Sequence, residues 1–186
     1  TVDYDLHPLS LALASEATFV ARTIDTDVKH MTEVFEAAAH HKGSAFVEIL
    51  QNCVIFNDNA FAEVSEKESR EDSSLKLIEG QPLIFGKHKN KGIRLNGLRP
   101  EVVAFDPTEP PRDLLVHQSQ LIDPTYAYFL ARMDLPEFPV PLGVFRSVHK
   151  PTYENLIQEQ VTQAIEQQGK GNLEKLLNRG ETWVVN

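Results

Sequence analysis

Ser44-Ala45-Phe46-Val47-Glu48-Ile49-Leu50 runs into Gln51-Asn52-Cys53-Val54-Ile55-Phe56-Asn57-Asp58-Asn59, and this stretch decides how the 186-residue chain is read. Phe46, Val47, Ile49 and Leu50 favour a pleated, buried strand. Gly43 before it and Asn57-Asp58-Asn59 after it are turn residues. Cys53 is the one cysteine of the chain and falls just past the carboxyl end of that strand. In open α/β sheets this is the edge where ligands bind.

Working upstream, Thr18 to Ile24 reads as a second strand. Asp25-Thr26-Asp27 offers N-cap chemistry. Val28, Met31, Val34, Phe35 and Ala38 then recur at helical spacing as one apolar stripe. His40-His41-Lys42 suit the negative end of a helix dipole, and Gly43 is a stop. Strand, helix and strand within about thirty residues make a βαβ unit with parallel strands. A short alanine-rich helix, Pro8 to Ser15, precedes it.

Downstream the grammar changes. Residues 62–74 read as an exposed helix or a mobile loop. Short strands are expected at 75–78, 82–85, 92–95 and 102–105, punctuated by glycine and asparagine. A helix starts at Asp123-Pro124 with Tyr126, Phe129, Leu130 and Met133 as its buried stripe. Pro136, Pro139 and Pro141 argue against regular structure before a short extended piece, Val144-Phe145-Arg146. Pro151-Thr152 opens a long helix with Leu156, Ile157, Val161, Ala164 and Ile165 on one side. Asn172 caps a last helix. The expected fold class is α/β, a parallel-sheet piece followed by a mixed α+β region.

The formal net charge of −9 argues against general affinity for nucleic acid. No apolar run approaches the ~20 residues that cross a bilayer. A single cysteine makes no internal disulfide, which fits a reducing, cytoplasmic setting. The chain begins Thr1-Val2-Asp3 without methionine, as a fragment or a processed product would. Residues 63–72 are acidic, while Lys87, Lys89, Lys91, Arg94 and Arg99 form a basic run. Both suit docking surfaces or solvated faces.

Few familiar signatures are present. The chain has no P-loop, GxGxxG, GxSxG, HExxH or CxxC. His40 and His41 are adjacent and cannot share a helix face, so helix-end charge explains them better than metal binding. Glu48 inside the strand reads two ways: a contact near a cofactor, or an edge-facing or ion-paired glutamate. Cys53 reads as a small buried hydrophobe or as part of a site.

FVEILQNCVIFND resembles the segment FVEI-x-Q-x-C-x-x-FN of the β subunits of 2-oxoacid:ferredoxin oxidoreductases. HPLSLALASEATFVART resembles their PLSLAL…ATFVAR stretch. LIFGKHKNKGIRLNG, DLLVHQ and PLGVFRSVHKPTYEN follow in the same order and spacing. The resemblance covers nearly the whole chain, and QNC…FND, PLGVFR and PTYE look most like the 2-oxoglutarate type, with pyruvate and branched-chain substrates left open.

This resemblance implies an enzyme subunit with thiamine diphosphate, magnesium and a four-iron four-sulfur cluster. It implies oxidative decarboxylation of a 2-oxo acid to an acyl-CoA, with electrons leaving to ferredoxin. The implied partners are the α subunit, a second β subunit, ferredoxin, a 2-oxo acid and coenzyme A. Cys53 matches the family's fourth cluster ligand, its three companions lying in an upstream half. Glu48, Gln51 and Asn57 are expected to neighbour the cofactor. The family's GDG-plus-asparagine magnesium motif is absent from these residues. Residues 1–59 then correspond to the end of a thiamine-binding α/β domain and residues 60–186 to the C-terminal region of the β chain. The chain alone is expected to be inactive. The alternatives are a non-catalytic assembly module of the same complex, or an unrelated α/β domain with a buried cysteine.

Overall fold

A computed structural model describes every residue except Thr1, Asp3, Tyr4, Val184 and Asn186. The chain divides into two compact units, Thr1–His149 and Lys150–Asn186.

The first unit opens with helix α1 (Pro8–Ala14), strand β1 (Phe19–Ile24), helix α2 (Val28–His40) and strand β2 (Ala45–Leu50). β1 and β2 pair in parallel, from Phe19 opposite Ala45 to Ile24 opposite Leu50, as the βαβ spacing predicts. The Asp27 side chain accepts from the His30 N–H at 3.2 Å and caps α2. His40 Nδ1 lies 2.7 Å from the Glu36 carbonyl, so its ring serves the helix end.

The sheet order is β2-β1-β7-β3, with β3 at Ser74–Leu77 and β7 at Val140–Ser147. β7 runs antiparallel to β1 and parallel to β3, so the sheet is mixed. The short extended piece expected around Val144 is in fact an eight-residue strand in the middle of the sheet. Pro141 enters it because it lies before β7 meets β1, whose register begins at Gly143. Gly143 has φ +136°, and a Cβ there would stand 2.9 Å from the Leu77 carbonyl oxygen, so β3 and β7 approach through a missing side chain.

The expectation that the Ser44 strand is buried is corrected. β2 is an edge strand; Ala45 and Ile49 are exposed and Leu50 alone is fully covered. The stripe on α2 is likewise only partly used. Val34 is buried against Phe19 and Ala21, while Val28 and Phe35 stay exposed.

The 62–74 segment forms two single-turn helices, α3 (Ala62–Ser65) and α4 (Arg70–Ser73). A second sheet, β4-β5-β6, comprises Ile84–Phe85, Lys91–Asn96 and Arg99–Ala104, all antiparallel. Helix α5 (Thr125–Ala131) packs Leu130 and Ala131 into the main core with Leu9, Leu13, Val20, Leu75 and Phe145. Arg146 is fully buried. Its guanidinium donates to the carbonyls of Ala17 (2.8 Å) and Ile122 (2.6 Å) and meets the Glu16 carboxylate at 3.2 Å. A buried cation is tolerable only with such partners.

The second unit holds α6 (Tyr153–Gln168) and α7 (Leu173–Leu177), capped by Thr152 and Asn172 as their sequences predict. Neither helix has a buried residue. The apolar side of α6 finds no core within its unit: Leu156, Ile157, Val161 and Ile165 are exposed. No helix among the described residues is long and apolar enough to cross a membrane.

Candidate functional site

The carboxyl ends of β1 and β2 are tied together where the Asp25 N–H donates to the Leu50 carbonyl at 3.1 Å. Directly beyond Leu50 the chain turns into a loop that closes on itself. The Asn52 side chain does the closing. Its amide donates to Asp58 Oδ1 at 2.9 Å, and its carbonyl oxygen accepts from the Asn59 N–H at 2.8 Å. Asn59 takes φ +63°, a conformation asparagine tolerates better than most residues. Within this frame the Asn57 N–H donates to the Cys53 carbonyl at 2.9 Å, making a tight turn over residues 53–57.

The turn gives Cys53 its chemistry. Its thiol is exposed and unpaired by any disulfide. The backbone N–H groups of Phe56 and Ile55, and more weakly that of Asn57, lower its pKa from the ordinary thiol value against a small opposing effect of burial. Donors aimed at the sulfur favour the thiolate, which is both the nucleophilic and the metal-ligating form. The reading of Cys53 as a small buried hydrophobe is thereby excluded. The side chains around it are apolar and open: Val54 is 72 % exposed, Ile55 82 % and Phe56 90 %.

The other residues singled out from the sequence are less alike. Glu48 lies across from Arg22, and the two form an ion pair at 2.5 Å with both side chains largely covered. Arg22 also sits over the Phe145 ring, 5.7 Å from its centroid. Of the two readings of Glu48, the ion pair is the one observed. Gln51 and Asn57 are exposed on the same loop as Cys53. Among the described residues no group of three or more His, Cys, Asp or Glu side chains is placed to hold a metal ion.

Just beyond the carboxyl end of β1 is a charged cluster that sequence reading missed. Asp27 meets Lys76 at 3.2 Å and Arg70 at 3.7 Å. Burial would raise the Asp27 carboxyl, but the His30 N–H and the Lys76 ammonium outweigh it and hold it below the usual carboxylate value. Next to it, His30 Nδ1 lies 2.8 Å from the Thr23 hydroxyl, and burial pushes the imidazole pKa down. Lys76 and Asp27 are 49 residues apart, so no local pattern announces the contact. Asn52 was also missed, although its asparagine-rich surroundings are those of side-chain-to-backbone turns.

His117 is buried. Its Nε2 is 2.9 Å from the Val144 carbonyl, and burial lowers its pKa. It lies 6.0 Å, ring to ring, from Tyr126, and has a structural explanation.

No family model matches the chain. The 2-oxoglutarate oxidoreductase subunit KorB of Mycobacterium tuberculosis is 38 % identical over the whole of this chain, which covers 50 % of KorB. The β subunit of 2-oxoacid:ferredoxin oxidoreductase 1 of Aeropyrum pernix is 48 % identical over 58 residues, 31 % of this chain and 18 % of that protein. The corresponding β subunit of Saccharolobus solfataricus is 44 % identical over 57 residues, 31 % of this chain and 19 % of that protein. Among solved structures, a 2-oxoglutarate:ferredoxin oxidoreductase from Magnetococcus marinus, with 2-oxoglutarate, coenzyme A and succinyl-CoA bound, matches with a TM-score of 0.58 and 18 % identity. That match covers 97 % of this chain and 46 % of the solved one, and shows a shared fold. The chain thus spans about half the length of the relatives it matches end to end. Its sequence is similar throughout to a 2-oxoglutarate oxidoreductase subunit, and over about a third of its length to β subunits of 2-oxoacid:ferredoxin oxidoreductases.

Proposed function

We propose that the chain works as part of the β subunit of a 2-oxoacid:ferredoxin oxidoreductase that converts 2-oxoglutarate and coenzyme A to an acyl-CoA one carbon shorter and carbon dioxide, with the electrons reducing ferredoxin. The observation that carries this is the 38 % identity to a 2-oxoglutarate oxidoreductase subunit along the full chain. The exposed, thiolate-favouring Cys53 supports it, because a cluster ligand must be deprotonated and reachable.

In this reading Cys53 supplies one ligand of a four-iron four-sulfur cluster, and the remaining ligands come from the rest of the subunit. When bound, thiamine diphosphate with magnesium supplies carbanion chemistry at the 2-oxo carbon, and the cluster carries single electrons. The chain's own contribution is positional and electrostatic. The Phe56, Ile55 and Asn57 N–H groups favour the thiolate form of the Cys53 sulfur and would bear on the cluster potential. Asn52 fixes the loop that aims them. We assign Gln51 and Asn57 to the neighbourhood of the cofactor, with Glu48 held beside them by Arg22. Residues 1–59 are taken as the end of the thiamine-binding segment and 60–186 as the C-terminal region of the β chain. The α subunit, a second β subunit, ferredoxin and coenzyme A are the proposed partners, and the cytoplasm the proposed location.

The test is anaerobic co-expression with the remainder of the β subunit and with the α subunit. The expected product is brown, with a broad band near ~400 nm that bleaches on adding 2-oxoglutarate and coenzyme A. Cys53→Ser should lose that band or shift it. A complex whose spectrum is indifferent to Cys53→Ser would remove Cys53 from the cluster.

A second reading has its own observation. Tyr153, Leu156, Leu173, Leu176 and Leu177 are all more than half exposed, and α6 and α7 bury nothing. Surfaces of this kind mark interfaces. The second unit is then an assembly module, and its removal should lower association of the subunits before it lowers the activity of complexes that do form.

A further inference from the structure

Residues 51–60 are all exposed, so packing does not fix the loop that carries Cys53. Hydrogen bonds do. The Asn52 side chain makes two of them, each running from the start of the loop to its end. Its amide donates to Asp58 Oδ1 at 2.9 Å, and its carbonyl oxygen accepts from the Asn59 N–H at 2.8 Å. The acceptor at 58 is a carboxylate, which strengthens the first bond. The second bond holds Asn59, whose φ is +63°. Inside these ties the Asn57 N–H donates to the Cys53 carbonyl at 2.9 Å. Asn52 directly precedes Cys53, so the clamp and the turn hold the cysteine backbone from both sides. All of these partners lie within residues 52–59, so the loop closes on bonds of its own.

We propose that Asn52, with Asp58 as its partner, is a positioning residue that holds the Cys53 loop closed ahead of cluster binding and slows the loss of a bound cluster. This rests on the reading of Cys53 as a cluster ligand given above. A mobile ligand loop surrenders its conformational freedom when it binds, and that cost weakens the bond. A loop already closed has surrendered it beforehand. Residues that orient a metal ligand are typically worth about 10–100-fold in affinity. Asparagine suits the task because one short side chain carries both a donor and an acceptor. Alanine has neither, and an ionised aspartate only accepts.

The test uses the complete β subunit assembled with the α subunit and loaded with its cluster, and a ferrous-iron chelator as the probe. Asn52→Ala should still take up the cluster and should lose it to the chelator about 10-fold faster or more. The isolated chain carrying the same change should unfold at the parental urea concentration. Asn52→Asp sets two carboxylates against each other and should lose the cluster at least as fast as Asn52→Ala. Adding Asp58→Asn puts a donor opposite the new carboxylate, and the double variant should return close to the parental rate. A general loss of stability would not be undone by that exchange. In the isolated chain the Asn57 amide should exchange about 10-fold faster in Asn52→Ala, since the turn over Cys53 opens with the clamp. A cluster that leaves Asn52→Ala at the parental rate, in a complex whose spectrum does respond to Cys53→Ser, would overturn the proposal and leave the functional reading intact. Failure of Asp58→Asn to rescue Asn52→Asp would also overturn it. A spectrum indifferent to Cys53→Ser would instead overturn the cluster reading, and this proposal with it. Should Asn52→Ala fail to assemble, Asn52→Asp with and without Asp58→Asn decides alone.

Discussion

β1 and β2 are paired residue for residue, similar in composition and equal in length, and they live in different environments. Phe19, Val20, Ala21, Thr23 and Ile24 of β1 are all buried, with Arg22 nearly so. On β2 only Leu50 is. The difference lies in a strand almost a hundred residues further on. β7 takes the free side of β1, and nothing among the described residues takes the free side of β2. Burial of a strand is a property of its neighbours, and two strands with the same apolar pattern can differ completely in what they contribute to stability.

The sharpest way to break this comparison is to truncate matched residues. Ile24 is fully buried in a cluster with Leu50, Val64, Val140 and Leu142, and Ile24→Ala should cost about 2–5 kcal/mol in urea unfolding. Ile49 is 41 % exposed, and Ile49→Ala should cost less than about half of that in the isolated chain. Equal losses would mean that the edge of β2 is covered after all.

A smaller effect comes from pH. Burial lowers the pKa of His30 and of His117, and burial together with the nearby His149 lowers that of His41. The unfolded chain protonates these imidazoles near their ordinary value of about 6.5, while the folded unit resists. The unfolded state then binds more protons, so stability rises with pH in this window. The contribution is complete above about 6.5 and is lost as pH falls below it through the lower folded values. Urea midpoints should fall between pH 7.5 and 5.5, and His30→Asn should flatten the slope. These histidines flank β1 and β7, so the loss belongs to the covered part of the sheet.

The smallest stability effect belongs to the open loop. Phe56→Ser should change the unfolding free energy of the isolated chain by no more than about 0.5 kcal/mol, because the ring is almost wholly exposed. The same loop should be chemically the most reactive part of the chain. Alkylation of Cys53 should follow a pH profile with its midpoint below that of an ordinary thiol, and Asn52→Ala should move the midpoint back up by loosening the turn. An unshifted midpoint in the parent chain would mean that the backbone donors do not reach the sulfur.

Much of this is legible in the residues. Period-two and period-3.6 patterns locate β1, α2 and β2, and the capping residues Asp27, Thr152 and Asn172 each accept the expected backbone N–H. The turn residues alone place Cys53 just past a strand's carboxyl end. The Arg22–Glu48 pair is half visible: a charged residue in an apolar strand demands a partner, but only the β1–β2 register says which. Pro141 misleads because proline constrains its own backbone, and at that position β7 pairs only with β3, the β1 side having not yet begun to pair. The stripe on α6 misleads differently. An apolar face states that a helix wants cover, and does not state that the cover is in the same chain.

The sequence by itself determined the local elements, the parallel βαβ unit, the lone cysteine at its mouth and the family resemblance, since each depends on neighbours in the chain or on a motif. Tertiary structure alone decided which strand is central, that Glu48 is tied to Arg22, and that Asp27 meets Lys76. Those outcomes depend on distances between peptide groups and side chains brought together by the fold, and hydrogen bonds and ion pairs act only at those distances.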